Sequence, residues 1–206
     1  MTVGTNAARI GTTSRDIGSA KFPIEGLKDC GADSWRDAPQ FVVSANSMSA
    51  KNALRVGVIS DTHGLLRPEA RAFARACDYI IHGGDIGSAA SLDELSAMAP
   101  LIAVKGNNDR QAWAARLPQT EMIRVGGVFI YVIHDLSQLD IEPHAAGAHV
   151  VVSGHSHKPS IEMRNGVLYV NPGSCGPRRF SLPLSVGEIR VDGTKVRART
   201  VEFVQQ

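Results

Sequence analysis

Leu54-Arg55-Val56-Gly57-Val58-Ile59-Ser60-Asp61-Thr62-His63 opens with a short apolar run and ends in polar chemistry. The run reads as a buried strand that delivers a carboxylate, Asp61, at its C-terminal end. Four more stretches read the same way. Residues 78–84 end at Asp85, residues 101–106 at Asn107, residues 128–133 at His134, and residues 149–154 at His155. Each of the five strands finishes on a side chain able to hold a metal ion. In open α/β sheets ligands bind beyond the carboxyl ends of the strands, so all five would arrive in one place. Glycines at 64, 83, 84, 106 and 154 flank these residues, where tight strand-to-loop turns need a positive φ or close backbone approach.

The elements around this series set the fold class. Between residues 54 and 113, strands alternate with helical patterns at 68–76, 88–98 and 110–116, the signature of a parallel α/β sheet. From residue 121 onward strands dominate. Hairpins are predicted at Gly126-Gly127, at Asn165-Gly166 and around Asp192-Gly193. A change from parallel α/β to antiparallel hairpins fits two packed sheets. No repeat or low-complexity tract interrupts them.

Taken singly, the polar pieces are ordinary. Asp61-Thr62-His63 after a strand could cap a helix beside a surface histidine, and Gly106-Asn107-Asn108-Asp109 could be a plain turn. His155 and His157 put two imidazoles on one face of an extended segment. As an ordered set (D-x-H, G-D, G-N-x-D, H, G-H-x-H) the chain resembles the small single-domain calcineurin-like metallophosphoesterases of bacteria and archaea. The match runs from about Leu54 to Phe203, and Asn171-Pro172-Gly173-Ser174 matches a loop of the same branch.

The resemblance implies an α/β fold: a two-sheet β-sandwich flanked by helices, in four layers, with two divalent metals at the strand ends. It also implies the ligand sets. Asp61, His63, Asp85 and His157 would hold one ion. Asp85, Asn107, His134 and His155 would hold the other, with Asp85 shared between them. The donor chemistry agrees, because carboxylate, imidazole and amide oxygen without thiolate suit Mn²⁺, Fe, Zn²⁺ or Co²⁺, and manganese is the ion expected first, with zinc, iron, cobalt or nickel as alternatives. Two such ions about 3.5–4 Å apart can share a hydroxide and present it in line to phosphorus. The expected function is therefore hydrolysis of phosphodiesters, with Asp61, Asp85 and Asn108 as the catalytic residues and a small-molecule phosphoester as substrate.

The chain departs from the family pattern at two places. Larger relatives carry a histidine after the Asn of G-N-x-D, able to protonate a leaving group. Asn108 donates hydrogen bonds but has no proton to give at neutral pH, so activated aryl esters are expected to outpace alkyl esters. Asp135 follows His134 where the family has glycine, and is expected to cap a helix starting near Ser137 rather than orient a ligand histidine. Asp109 is expected to bond within its own loop and support Asn107. Arg178 and Arg179 could reach a substrate phosphate or form a solvated pair. His82 reads as a satisfied core histidine or as one that supports a ligand residue, while His144 and His149 have no partner pattern.

Composition bounds the alternatives. The chain has 206 residues and a net charge of +2, enough for one domain with a substantial core. Residues 54–206 carry 16 Lys/Arg against 15 Asp/Glu, so a pI near 8.5 does not announce a nucleic-acid binder. No apolar stretch is long enough to span a membrane. Cys30, Cys77 and Cys175 are an odd set at unrelated spacings, which points to a reducing cytoplasm. Residues 1–53 show no sustained period and are expected to be disordered or loosely packed, ahead of a phosphoesterase domain over 54–206. A start at Met48, or an arm closing over the site, are the alternatives. Two rival functions remain: a protein-binding scaffold on the same frame, as in the retromer subunit that this fold resembles, and a nuclease. A complete ligand set favours the enzyme over the scaffold. The absence of extra capping domains and of a basic cluster weighs against the nuclease. A homodimer is compatible with the resemblance.

Overall fold

The computed structural model describes residues 53–179 and 181–203, together with the backbone of Arg15 and Asp16. The expectations for the N-terminal segment, including Cys30, Trp35 and Met48, lie outside the described residues.

Two sheets form the frame. The first has strand order β11-β10-β2-β3-β4, built from β2 (Leu54–Ile59), β3 (Tyr79–His82), β4 (Leu101–Ala103), β10 (Ser185–Asp192) and β11 (Lys195–Glu202). The second has order β1-β5-β6-β7-β9-β8, from β1 (Arg15–Asp16), β5 (Thr120–Val125), β6 (Val128–Ile133), β7 (Val150–Val152), β8 (Ser160–Arg164) and β9 (Val167–Asn171). Val56 and Val58 of β2 point into the core shared with Ile130, Val132, Val150, Val152 and Leu168 of the second sheet. The alternate face of the first sheet carries Ile59 and Ile80. It packs under α1 (Pro68–Arg75) and α2 (Ala89–Ser96) through Ala70, Phe73, Ala74 and Leu95. Strands buried on both faces explain why their sequence reads as continuous apolar runs rather than as alternation. The described residues contain no helix long and apolar enough to cross a membrane.

All three predicted hairpins form. In one of them Asn165 (φ 48°) and Gly166 (φ 79°) both sit in the left-handed region, as a type I′ turn demands. Three details differ from the sequence reading. First, β6, β7 and β9 run parallel to one another, so the second sheet is mixed rather than a stack of hairpins. The connections of residues 134–149 and 153–166 are long enough for the crossovers that parallel pairing requires. Second, the expected helix at 110–116 is a 3-10 turn, Ala112–Arg116. Leu117 precedes Pro118 and is held extended at ψ 135°, which stops a helix within one turn. Third, among the described residues no α-helix covers the outer face of the second sheet. Tyr131, Ile133 and Val151 are covered by a 3-10 turn, Leu136–Gln138, and by Leu139 and Ile141 in the following loop. Parallel order in both sheets has one consequence for function: the C-terminal ends of β2, β3, β6 and β7 open on the same side of the sandwich.

Candidate metal centre

The seven predicted donor residues converge at that end. Asp61 and His63 follow β2, and Asp85 follows β3. Asn107 lies on the loop after β4, His134 follows β6, and His155 and His157 follow β7. Asp61, His63, Asp85, His155 and His157 all hold φ between 46° and 66°. Left-handed backbone at a non-glycine residue is costly, and such positions cluster where function over-determines the geometry. Asn165, in its hairpin, is the one other non-glycine position of this kind among the described residues.

Two donor groups share Asp85. In the first, His157 Nε2 lies 3.3 Å from Asp61 Oδ1 and 3.5 Å from His63 Nε2, and His63 Nε2 lies 3.8 Å from Asp85 Oδ2. In the second, Asn107 Oδ1 sits 3.1 Å from His134 Nε2 and 3.0 Å from His155 Nδ1, while His134 Nε2 is 3.5 Å from Asp85 Oδ1. One carboxylate oxygen of Asp85 thus faces each group. Donor atoms of Asp61, His63 and His157 lie close enough together to hold one ion, and those of Asp61, Asp85 and His134 another, so Asp61 as well as Asp85 stands between the two groups.

Supporting bonds fix these donors. His134 Nδ1 donates to Gly83 O at 2.7 Å, which leaves Nε2 as the free lone pair. Ser60 Oγ donates to Asp61 Oδ2 at 2.7 Å, and His155 N donates to the same oxygen at 3.1 Å. Asn108 donates to Asp85 twice, from its backbone N at 2.8 Å and from Nδ2 at 2.6 Å. Asp109 is fully buried and reaches beyond its own loop. Its carboxylate accepts from Gly106 N, Ile86 N and Gly87 N at 2.9–3.1 Å, which ties the Asp85 loop to the Asn107 loop. A Cβ on Gly106 would run into the Asp85 backbone and Oδ1, and one on Gly154 into Ser60 Oγ, so both loops approach too closely for any other residue.

The electrostatics ask for cations. Burial pushes the Asp61 carboxyl up to about 7, against the opposing hydrogen bond from Ser60. Burial acts against the Asp85 carboxylate too, but the two Asn108 bonds together with the neighbouring His134 and His63 hold its pKa below the ordinary value. Burial lowers His63, and it lowers His157 to about 4 with help from the nearby Arg179 charge, so both imidazoles stay neutral and available as ligands. Three buried side-chain polar atoms lack a hydrogen bond among the described residues. Asp61 Oδ1 and His157 Nδ1 belong to this site, and the third, Arg55 Nε, is in ionic contact with Glu188. A buried carboxylate oxygen without a proton donor, surrounded by neutral imidazoles, fits divalent cations. The oxygen and nitrogen donors suit the borderline transition metals.

The other sequence-predicted residues sort clearly. Arg179 Nη2 is 3.4 Å from His63 Nε2, at the mouth of the first group. His82 is fully buried, 3.0 Å from Thr62 Oγ1 and accepting from Gly84 N, and burial lowers its pKa to about 3. It is the satisfied core histidine expected. Asp135 caps the 3-10 turn by accepting from Ser137 N, Ser137 Oγ and Gln138 Nε2, and its Oδ2 also lies 3.9 Å from His155 Nε2. Cys175 is buried near Asp61, but burial raises its thiol to about 12, so it is no thiolate ligand. Sequence reasoning gave Asn171 and Ser174 no role. Asn171 Nδ2 donates to Gly154 O at 2.7 Å and Ser174 Oγ donates to Asp61 O at 2.9 Å, so the Asn-Pro-Gly-Ser loop braces two ligand loops. Their only sequence signal is their place in that four-residue motif.

Comparison with known proteins agrees with this geometry. Residues 54–194 match the model of the calcineurin-like phosphoesterase superfamily domain. A probable metallophosphoesterase of Methanothermobacter thermautotrophicus is 38% identical over 157 residues, which cover 71% of this chain and 91% of that protein. A phosphodiesterase of Methanocaldococcus jannaschii is 26% identical over 140 residues, 59% of this chain and 84% of the relative. Among solved structures, vacuolar protein sorting 29 from Cryptosporidium parvum superposes with a TM-score of 0.60 at 18% identity. That likeness covers 74% of this chain and 99% of that one, and it is a likeness of fold.

Proposed function

The chain belongs to the calcineurin-like phosphoesterase superfamily and is a metal-dependent phosphoric ester hydrolase, and from that premise we propose that it is a two-metal phosphodiesterase acting on small-molecule phosphodiesters. The observation that carries the proposal is the sharing of Asp85 between two complete donor groups. Asp61, His63, Asp85 and His157 would hold one cation, and Asp85, Asn107, His134 and His155 the other. When bound, the pair supplies Lewis acidity and an activated water for in-line attack on phosphorus. The phosphodiesterase name of the 26%-identical relative supports the diester reading. Manganese is the ion we propose first, with zinc, iron, cobalt and nickel as alternatives.

The chain's own residues then divide the work. Asp61 and Asp85 hold the cations, and Asn108 fixes the shared carboxylate through two hydrogen bonds. An amide NH₂ has two donors, so one N–H of Asn108 remains for a substrate oxygen. Arg179, beside His63, presents a guanidinium to a phosphoryl oxygen. No imidazole follows Asn107 to protonate the departing alcohol, and general-acid help is typically worth about 10²–10⁴-fold. Aryl diesters therefore outpace alkyl diesters by a margin in that range. Two buried free thiols, Cys77 and Cys175, support a cytoplasmic setting. The complete donor set supports the enzyme over the scaffold reading.

The test is hydrolysis of bis-p-nitrophenyl phosphate after chelator stripping, with Mn²⁺, Zn²⁺, Co²⁺, Ni²⁺ and Mg²⁺ added back singly. Restored turnover, highest with Mn²⁺ and absent in Asp85→Ala, is the expected outcome. Folded protein with no turnover under any metal would overturn the proposal.

A further inference from the structure

Beside the second donor group a cavity of about 280 Å³ opens to solvent. Asn107 and His134 are among its lining residues, so a group bound there lies beside the second donor group. The lining mixes both kinds of surface: Lys105, Gln119, Gln138 and Asp140 bring polar groups, while Ile133 and the carbon stems of the longer side chains bring apolar surface. No Phe, Tyr or Trp lines it.

We propose that this cavity seats one alcohol arm of the phosphodiester, and that the arm is a polyhydroxylated alcohol, a polyol or a sugar. The inference rests on the phosphodiesterase reading above and specifies its substrate. Asp135 spends its carboxylate on Ser137 N, Ser137 Oγ and Gln138 Nε2, which locks the Gln138 amide in the wall and leaves its carbonyl oxygen as an acceptor. Asp140 adds a second acceptor. Lys105 brings an ammonium with up to three donors, and Gln119 brings both kinds of group. A mixed wall of this kind is matched by hydroxyls, each of which donates and accepts.

The competing arms match it less well. A plain alkyl or aryl arm would strip water from these amides and charges without replacing the hydrogen bonds, a loss that polar sites turn into selectivity. A strongly anionic arm meets Asp135 and Asp140. A cationic arm meets Lys105 and finds no Phe, Tyr or Trp face to rest on. The polar arm governs binding while leaving-group acidity governs turnover, so the aryl advantage in rate and the polyol preference in affinity coexist.

The probes are two symmetrical diesters of equal chain length, bis(2,3-dihydroxypropyl) phosphate and dipropyl phosphate. Each is measured as a competitive inhibitor of bis-p-nitrophenyl phosphate hydrolysis, and by ligand-observed NMR for binding to metal-stripped protein. Two additional hydrogen bonds predict about tenfold tighter inhibition by the hydroxylated diester. The same preference should appear in the NMR measurement, where no turnover is required. Lys105→Ala and Asp140→Ala should each narrow the ratio of the two inhibition constants to about twofold, and the ratio is unaffected by any general loss of rate. Equal inhibition by the two diesters in the wild type, or a ratio that survives both substitutions, overturns the subsite while leaving the phosphodiesterase intact. Absence of all turnover on the aryl diester would instead count against the phosphodiesterase reading, with the NMR comparison still deciding the cavity.

Discussion

Asp85 carries more of this site than any other side chain, because each of its carboxylate oxygens faces a different group of donors. Its orientation depends on Asn108, which donates to both oxygens. Asn108→Ala keeps the backbone bond and removes the side-chain bond. Loss of a partner that orients a ligand typically costs about 10–100-fold in metal affinity or activity. A metal titration followed by activity should register that loss, and Asn108→Asp, which puts a second carboxylate beside the first, should not repair it. His82 makes a different prediction. Its folded pKa, about 3, lies below the ordinary 6.5, so the unfolded chain binds the proton more readily between those values. The stabilisation by neutral His82 is complete above pH 6.5 and is lost as pH falls toward 3. Urea midpoints across that window should fall with acidity, and His82→Gln should flatten the slope. An unchanged slope in the variant would place the acid sensitivity elsewhere.

At the scale of elements, the loops after the strands set the geometry, and the strands serve to aim them. Gly106 and Asp109 show how closely these loops pack: the first leaves no room for a Cβ against Asp85, and the second pins three backbone amides across two loops. Gly106→Ala forces the Asp85 loop outward, an overpacking that typically costs about 1–3 kcal/mol. We expect weaker metal binding with the thermal transition still cooperative. The donor residues and their order were legible because each follows an apolar run, and the hairpins were legible from their Gly and Asn-Gly turns. The parallel course of β6, β7 and β9 was not, since nothing local in a three-residue strand such as Val150–Val152 states its direction. Nor was the 3-10 turn at Ala112–Arg116, where helix-forming composition was overruled by the proline that follows. The bracing roles of Asn171 and Ser174 depend on contacts across 15 to 113 residues, which no spacing encodes.

For the molecule as a whole, the metal centre and the main buried ion cluster lie at different places in the sandwich. Glu188 of β10 is fully buried and pairs with Arg55, Arg190 and Arg199 at 2.6–3.0 Å on the first sheet. Three of the five Lys and Arg side chains on β2, β10 and β11 are thereby engaged internally. Glu188→Ala removes the shared partner of three partly exposed arginines, so the loss should fall below the roughly 3–5 kcal/mol typical of a fully buried pair. Denaturant unfolding should show that loss, while the native fraction should keep its metal content. The central claim is that one chain assembles two cation sites around a shared Asp85. Elemental analysis of purified protein, reconstituted with Mn²⁺ and compared with Asp85→Ala, tests it most directly. The account predicts two metal ions per chain, turnover that rises until the second is bound, and loss of both sites in the variant. Full activity at one ion per chain, or a folded wild-type protein that retains none, would contradict it.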